Sequence, residues 1–151
     1  MKVFLHKKDV LDISEADTIA LPVDGSQKGM EGNVARQLMK RLGTEDFHEL
    51  FSWPVPYPFS DCHWGRIEGR WPEKTHFNWV CALATLSHAQ GVNHKQRIAY
   101  ALGGMLQDME SSGELGTRIA MPVLSGGWRM SPIDALYLIL GEADQIKCGE
   151  L

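Results

Sequence analysis

No apolar run in this chain approaches the length of a membrane span, because a charged residue, Gly or Pro interrupts every one. The opening Met1-Lys2-Val3-Phe4-Leu5-His6-Lys7-Lys8 is too short and too soon charged for a secretory signal. Cysteine is scarce: Cys62, Cys81 and Cys148 make an odd number, widely spaced and without a C-x-x-C pair. That pattern speaks for reduced thiols over a disulfide framework, and the expected location is cytoplasmic. Cations are in the minority, 15 Lys and Arg against 19 Asp and Glu, for a formal charge of −4. Nonspecific nucleic-acid binding needs a concentrated basic face and is not expected. The glycine-rich stretch 25–32 lacks the Gly-Lys-Ser/Thr of a Walker loop, and no nucleophile elbow supports a catalytic triad. Cys62, His63, His76 and Cys81 are zinc-ligand types without a recognised spacing, so no metal and no cofactor is expected.

What is present is ordinary for a globular protein: 151 residues, 44% hydrophobic and 23% charged. That is one domain, 1–151, long enough to bury a core, with no repeat, low-complexity tract or interdomain linker. Val3-Phe4-Leu5-His6 is a short strand candidate, and 9–13 continues with apolar residues at alternate positions. The run 18–23 is almost continuously apolar, as expected of a strand buried on both faces. A Gly-rich segment follows, and then Val34, Ala35, Leu38, Met39 and Leu42 share one helical face that Gly43 stops. From 44 to 72 the pattern breaks. Pro54, Pro56 and Pro58 exclude a central strand or helix interior there, and an extended connection packed by its own aromatics is expected. Trp64-Gly65-Arg66-Ile67-Glu68 is a short strand candidate within this region, and 77–84 is a further strand. Ile98, Leu102, Met105, Leu106 and Met109 form the apolar stripe of a helix opened by Asn93 and ended at 111–113. A strand at 119–124 leads into the last helix, and 145–148 is a candidate terminal strand.

The stretch 121–132, M-P-V-L-S-G-G-W-R-M-S-P, organises the rest. Ser125, Gly126 and Gly127 form a small-residue loop after a strand. Ser131 followed by Pro132 then starts a helix, with a hydroxyl to cap free amides and a fixed φ at its first position. Ile133, Leu136, Ile139 and Leu140 recur in it at helical spacing. Loop amides and a helix N-terminus in that order converge on an anion. The chain holds a second strand, glycine loop, helix unit at 18–42. Strands alternating with helices indicate an α/β layer fold with a mixed sheet, whose ligands sit beyond the carboxyl ends of the strands. Two small-residue loops on that one edge describe a clamp for a diphosphate.

These residues resemble the macrodomain family, the ADP-ribose-binding α/β modules. Pro122-x-x-Ser125-x-Gly127-x-x-x-x-Pro132 is similar to that family's second phosphate loop, P-x-x-S-T-G-x-x-x-x-P. Gly29-Met30-Glu31-Gly32-Asn33-Val34 is similar to its first, G-V-D-G-A-I. Lys8-Asp9-Val10 resembles its early G-D-I, whose Asp receives the adenine amino group. Leu21-Pro22-Val23-Asp24 stands where the family often has N-A-A-N. The resemblance covers nearly the whole chain in order and implies a three-layer α/β/α fold with a central mixed sheet. It implies binding of ADP-ribose, or of an ADP-ribosylated protein, by Asp9, Val10, Asp24, Gly29, Met30, Glu31, Gly32, Ser125, Gly126, Gly127, Trp128 and Arg129.

The departures from the family bear on catalysis. The strand-end Asn is replaced by Asp24 or its neighbour, and the loop Asp by Glu31, one methylene longer. Ala84 or its neighbours and Arg129 stand where the short hydrolytic members use Lys and Asp. Binding is therefore implied more securely than turnover. A hydrolase acting on an ADP-ribosyl ester or ADP-ribose phosphate, with Asp24 or Glu31 positioning water, is the alternative. A third reading is a degenerate cleft serving as a structural or partner-binding module. Several residues carry two readings. Asp9 is a turn cap or an adenine acceptor, Asp24-Gly25 a plain turn or part of a site, and Glu31 a helix-dipole partner or a water holder. Trp128 is a ligand platform or a plug for an empty pocket.

Overall fold

A computed structural model describes residues 3–24, 33–50, 62–67, 69–86, 94–112, 118–122 and 131–149. In chain order the elements are β1 (Thr18–Asp24), α1 (Asn33–Leu42), α2 (Thr44–Leu50), β2 (Cys62–Arg66), β3 (Trp79–Leu86), α3 (His94–Ser112), β4 (Ile119–Ala120) and α4 (Pro132–Gly149). A single 3-10 turn, Val10–Asp12, precedes them. The four strands form one mixed sheet in the order β2-β3-β1-β4, with β2 antiparallel to β3 and the other neighbours parallel.

The interior strands are buried on both faces, as their apolar runs require. Ile19 and Leu21 of β1, with Val80 and Ala82 of β3, face a cluster that includes Ala35, Leu38 and Leu42 of α1 and Phe47 of α2. Ala20, Cys81 and Leu83 face the opposite way, onto Ile98, Leu102, Met105 and Leu106 of α3 and Ala135 of α4. Helices therefore cover both faces of the sheet. No helix among the described residues is long and apolar enough to cross a membrane.

Gly43 makes a one-residue corner between α1 and α2. Its N–H donates to Met39 O at 2.9 Å and its carbonyl accepts from Phe47 N at 3.0 Å, ending one helix and starting the next. Its φ of 97° is the left-handed conformation that favours glycine. Lys74 Nζ adds a bond to Leu42 O at 3.2 Å, a cation on the carbonyl end of α1.

The near edge of the sheet, where the parallel strands begin, is fastened by Asp17. Its Oδ1 accepts from Thr18 Oγ1 at 2.9 Å and from Arg118 N at 3.2 Å, and its carbonyl accepts from Asn78 N at 2.7 Å. One residue thus sets the starting register of β1, β3 and β4. Asp17→Ala is expected to destabilise the protein by about 1–3 kcal/mol, because the buried Thr18 hydroxyl loses its acceptor. Urea unfolding should show a lower midpoint at an unchanged m-value.

Four expectations are corrected. Val3, Phe4 and Leu5 are exposed and lie in no strand. Residues 9–13 do not extend as a strand, because Asp9 Oδ1 accepts from Leu11 N at 3.0 Å and folds them into the 3-10 turn that buries Leu11. Residues 44–50 are helical where a broken pattern was expected; the proline-rich connection expected at 54–58 lies outside the described residues. Residues 145–148 continue α4 instead of forming a terminal strand, since Gly141 is a tolerated helix interruption and nothing after it stops the helix.

The start of α4 is as expected. Ser131 Oγ accepts from Asp134 N at 3.2 Å and Pro132 is its first residue. Of the four large residues at helical spacing, Ile139 packs against the α3-side cluster and Leu136 is half-buried. Small Ala135 and Ala143 are buried, while Ile133 and Leu140 face outward. α4 lies close against α3: a Cβ placed on Gly103 would sit 2.9 Å from Glu142 Oε2. Burial there raises the Glu142 pKa above its ordinary 4.5. The folded chain holds that proton more tightly than the unfolded one, so stability falls as pH rises from 4.5 through the folded value. Glu142→Gln should raise the melting temperature at neutral pH and flatten that dependence in thermal melts across the acid range.

Candidate functional site

β1, β3 and β4 run in parallel, so all three terminate at one edge of the sheet. β1 ends at Asp24 and the chain resumes at α1 on one face. β3 ends at Leu86 and resumes at α3 on the other face. β4 ends at Ala120 and resumes at α4, also on that other face. The step from β1 to β3 goes one way along the sheet, and the step from β3 to β4 returns across β1. The neighbouring ends of β1 and β4 therefore send the chain to opposite faces. Such a reversal is where open α/β sheets receive ligands, because the diverging connections leave a crevice between them.

Asp24 is the last residue of β1, and a register shift separates it from Val23: Val23 pairs with Ala84, whereas Asp24 pairs with Leu86. β3 thus carries an extra residue at the strand end. Bulges re-aim side chains and end pairing, and they concentrate next to functional sites.

Asp9 is exposed and serves as the cap of its own turn, the first of its two expected readings. Val10 is half-buried against the cluster on the α1 side. The ties that hold this turn run from Arg41 Nη2 to Asp12 Oδ1 at 3.1 Å and between His76 Nε2 and Ile13 O at 2.8 Å. Arg41 is in the last turn of α1 and His76 just precedes β3, so these ties lie toward the sheet edge away from Asp24. Gly29, Met30, Glu31, Gly32, Ser125, Gly126, Gly127, Trp128 and Arg129 lie outside the described residues, as does the side chain of Asp24.

Sequence reasoning singled out the segments after β1 and β4 and passed over the one after β3. The strand register puts the end of β3 beside that of β1 on the same edge; segment 87–93, which follows it in sequence, lies outside the described residues. The strand at 77–84 and the helix after it were the signal for this; only the strand order makes it count.

Of the four zinc-type residues, His76 is exposed and bonded to a carbonyl, while Cys81 is fully buried in β3. Among the described residues no three His, Cys, Asp or Glu side chains gather to hold a metal ion.

No protein-family model matches the chain, and no curated protein matches it significantly.

Proposed function

We propose that the chain is a macrodomain-like module that binds ADP-ribose, or a related adenosine diphosphate-ribose group, at the carboxyl edge of β1 and β4. The observation that carries this reading is the chain reversal between those two strands. The two segments with phosphate-loop character, 25–32 and 123–130, follow those strands and no others. Backbone amides of Gly29, Met30, Glu31 and Gly32 on one side, and of Ser125, Gly126 and Gly127 on the other, would hold the diphosphate. Arg129 would pair with a phosphate and Trp128 would cover a ribose or base. Asp9 caps its own turn, which is tied toward the opposite edge of the sheet, and is not among the residues proposed to hold the ligand.

Calorimetric titration with ADP-ribose, with ADP and AMP alongside, tests this. Saturable binding stronger for ADP-ribose than for ADP is expected. Absence of heat and of competition from all three would overturn it.

The place of Asp24 supports a hydrolytic version as the second reading, since a carboxylate-bearing residue ends β1 at the carboxyl edge, where the register with β3 shifts. In that version Asp24→Ala abolishes release of ADP-ribose from a modified protein while leaving its binding intact. Equal turnover by the variant would remove Asp24 from the hydrolytic reading, and no turnover by the parent would leave recognition alone.

A further inference from the structure

We propose that stretch 3–8 of one copy docks on the outer face of α4 of a second copy, and reciprocally. On α4, Ile133, Tyr137 and Leu140 are 66%, 71% and 41% exposed and recur at helical spacing, a single apolar stripe turned away from the core. Exposed Asp134 and Asp144 stand at its two ends, and no Lys or Arg occurs between 132 and 144. Stretch 3–8 is the complement. Val3, Phe4 and Leu5 are 41%, 73% and 71% exposed, and His6, Lys7 and Lys8 follow, all exposed. Apolar side chains adjoin cations in one surface, and apolar side chains adjoin carboxylates in the other. Such matching sets partner and register as contact area alone cannot.

Within one chain the two surfaces stay apart. Stretch 3–8 enters the Val10–Asp12 turn, whose Leu11 packs on the α1 side of the sheet, whereas α4 packs on the other. Six extended residues reach at most roughly 20 Å, while the path must round the sheet and a helix about 10–12 Å across. A second copy meets no such limit, and mutual exchange gives two equivalent contacts in a closed pair.

Sedimentation equilibrium of the full chain over a wide concentration range tests this, with circular dichroism to verify folding. Phe4→Glu and Tyr137→Glu alter exposed side chains and should each weaken association about tenfold or more, a change that one desolvated aromatic anchor readily produces. Higher salt should weaken it as well. Lys7→Glu with Lys8→Glu should also weaken it, and adding Asp134→Lys with Asp144→Lys should restore it. A monomer at every concentration, association indifferent to either aromatic variant, or charge reversal without rescue would each overturn the proposal.

Discussion

Phe47→Ala is expected to destabilise the protein by about 3–5 kcal/mol, the usual cost of emptying a buried aromatic site. Phe47 is fully buried and packs in the cluster that joins α1, α2 and the β1 face of the sheet. α2 has only seven residues, too few to be stable by local propensity. Its attachment therefore depends on this ring, together with the Gly43 carbonyl that receives Phe47 N. Against a total stability of about 5–15 kcal/mol the loss is large, and a marginal parent would yield an unfolded variant. Chemical denaturation measures it. A cost near 1 kcal/mol, the middle of ordinary substitutions, would mean that α2 is ornamental to the fold.

The second large effect concerns the ligand. Gly127→Glu is expected to lower ADP-ribose affinity roughly 100-fold or more, equivalent to about 2.8 kcal/mol. The proposed diphosphate contact needs backbone amides that no side chain screens, and each hydrogen bond to a charged group contributes about 1.5–3 kcal/mol. A carboxylate at this position blocks the approach and adds charge of the wrong sign. Calorimetry reads the affinity, and an unchanged melting temperature separates lost contact from lost fold. Wild-type affinity in the variant would refute the assignment of 123–130 as a phosphate loop while leaving nucleotide binding itself in place.

Much of the architecture was legible because local chemistry dictated it. Gly43 ends α1 through a backbone conformation that side chains resist, and Ser131-Pro132 starts α4 through one hydroxyl bond and one fixed torsion. The apolar run of β1 and the stripe of α3 announced their burial by period alone. What failed depended on partners distant in sequence. α2 was hidden because its buried Phe47 stands among Glu45, Asp46, His48 and Glu49, and a helix of seven residues spans too few turns for its period to show. In α4 the helical period was legible but not which of its residues turn inward: Ala135 and Ile139 pack on the α3 side, while Ile133 and Leu140 are exposed. For the site, the sequence pointed to the two glycine segments, but the relation between them comes from β1 and β4 being neighbours. No local pattern encodes that adjacency.

The tie between β1 and β4 also orders events in time. Thr18 pairs with Ile119 and Ile19 with Ala120, while Asp17 Oδ1 reaches Arg118 N across 101 positions of chain. Closing so long a loop costs entropy that only a few hydrogen bonds return, so such pairings form late. A β1–α1–β3 nucleus can assemble first, leaving β4 to complete the sheet edge. The same two-residue strand should be among the first parts to open in the native state, since short edge pairings lie at the low end of local stability. In the proposed reading, one half of the ligand clamp hangs from the element that arrives last and leaves first. Occupancy would then act as a clasp on the finished fold, holding shut an edge that, among the described residues, two strand pairs and the Asp17–Arg118 contacts secure.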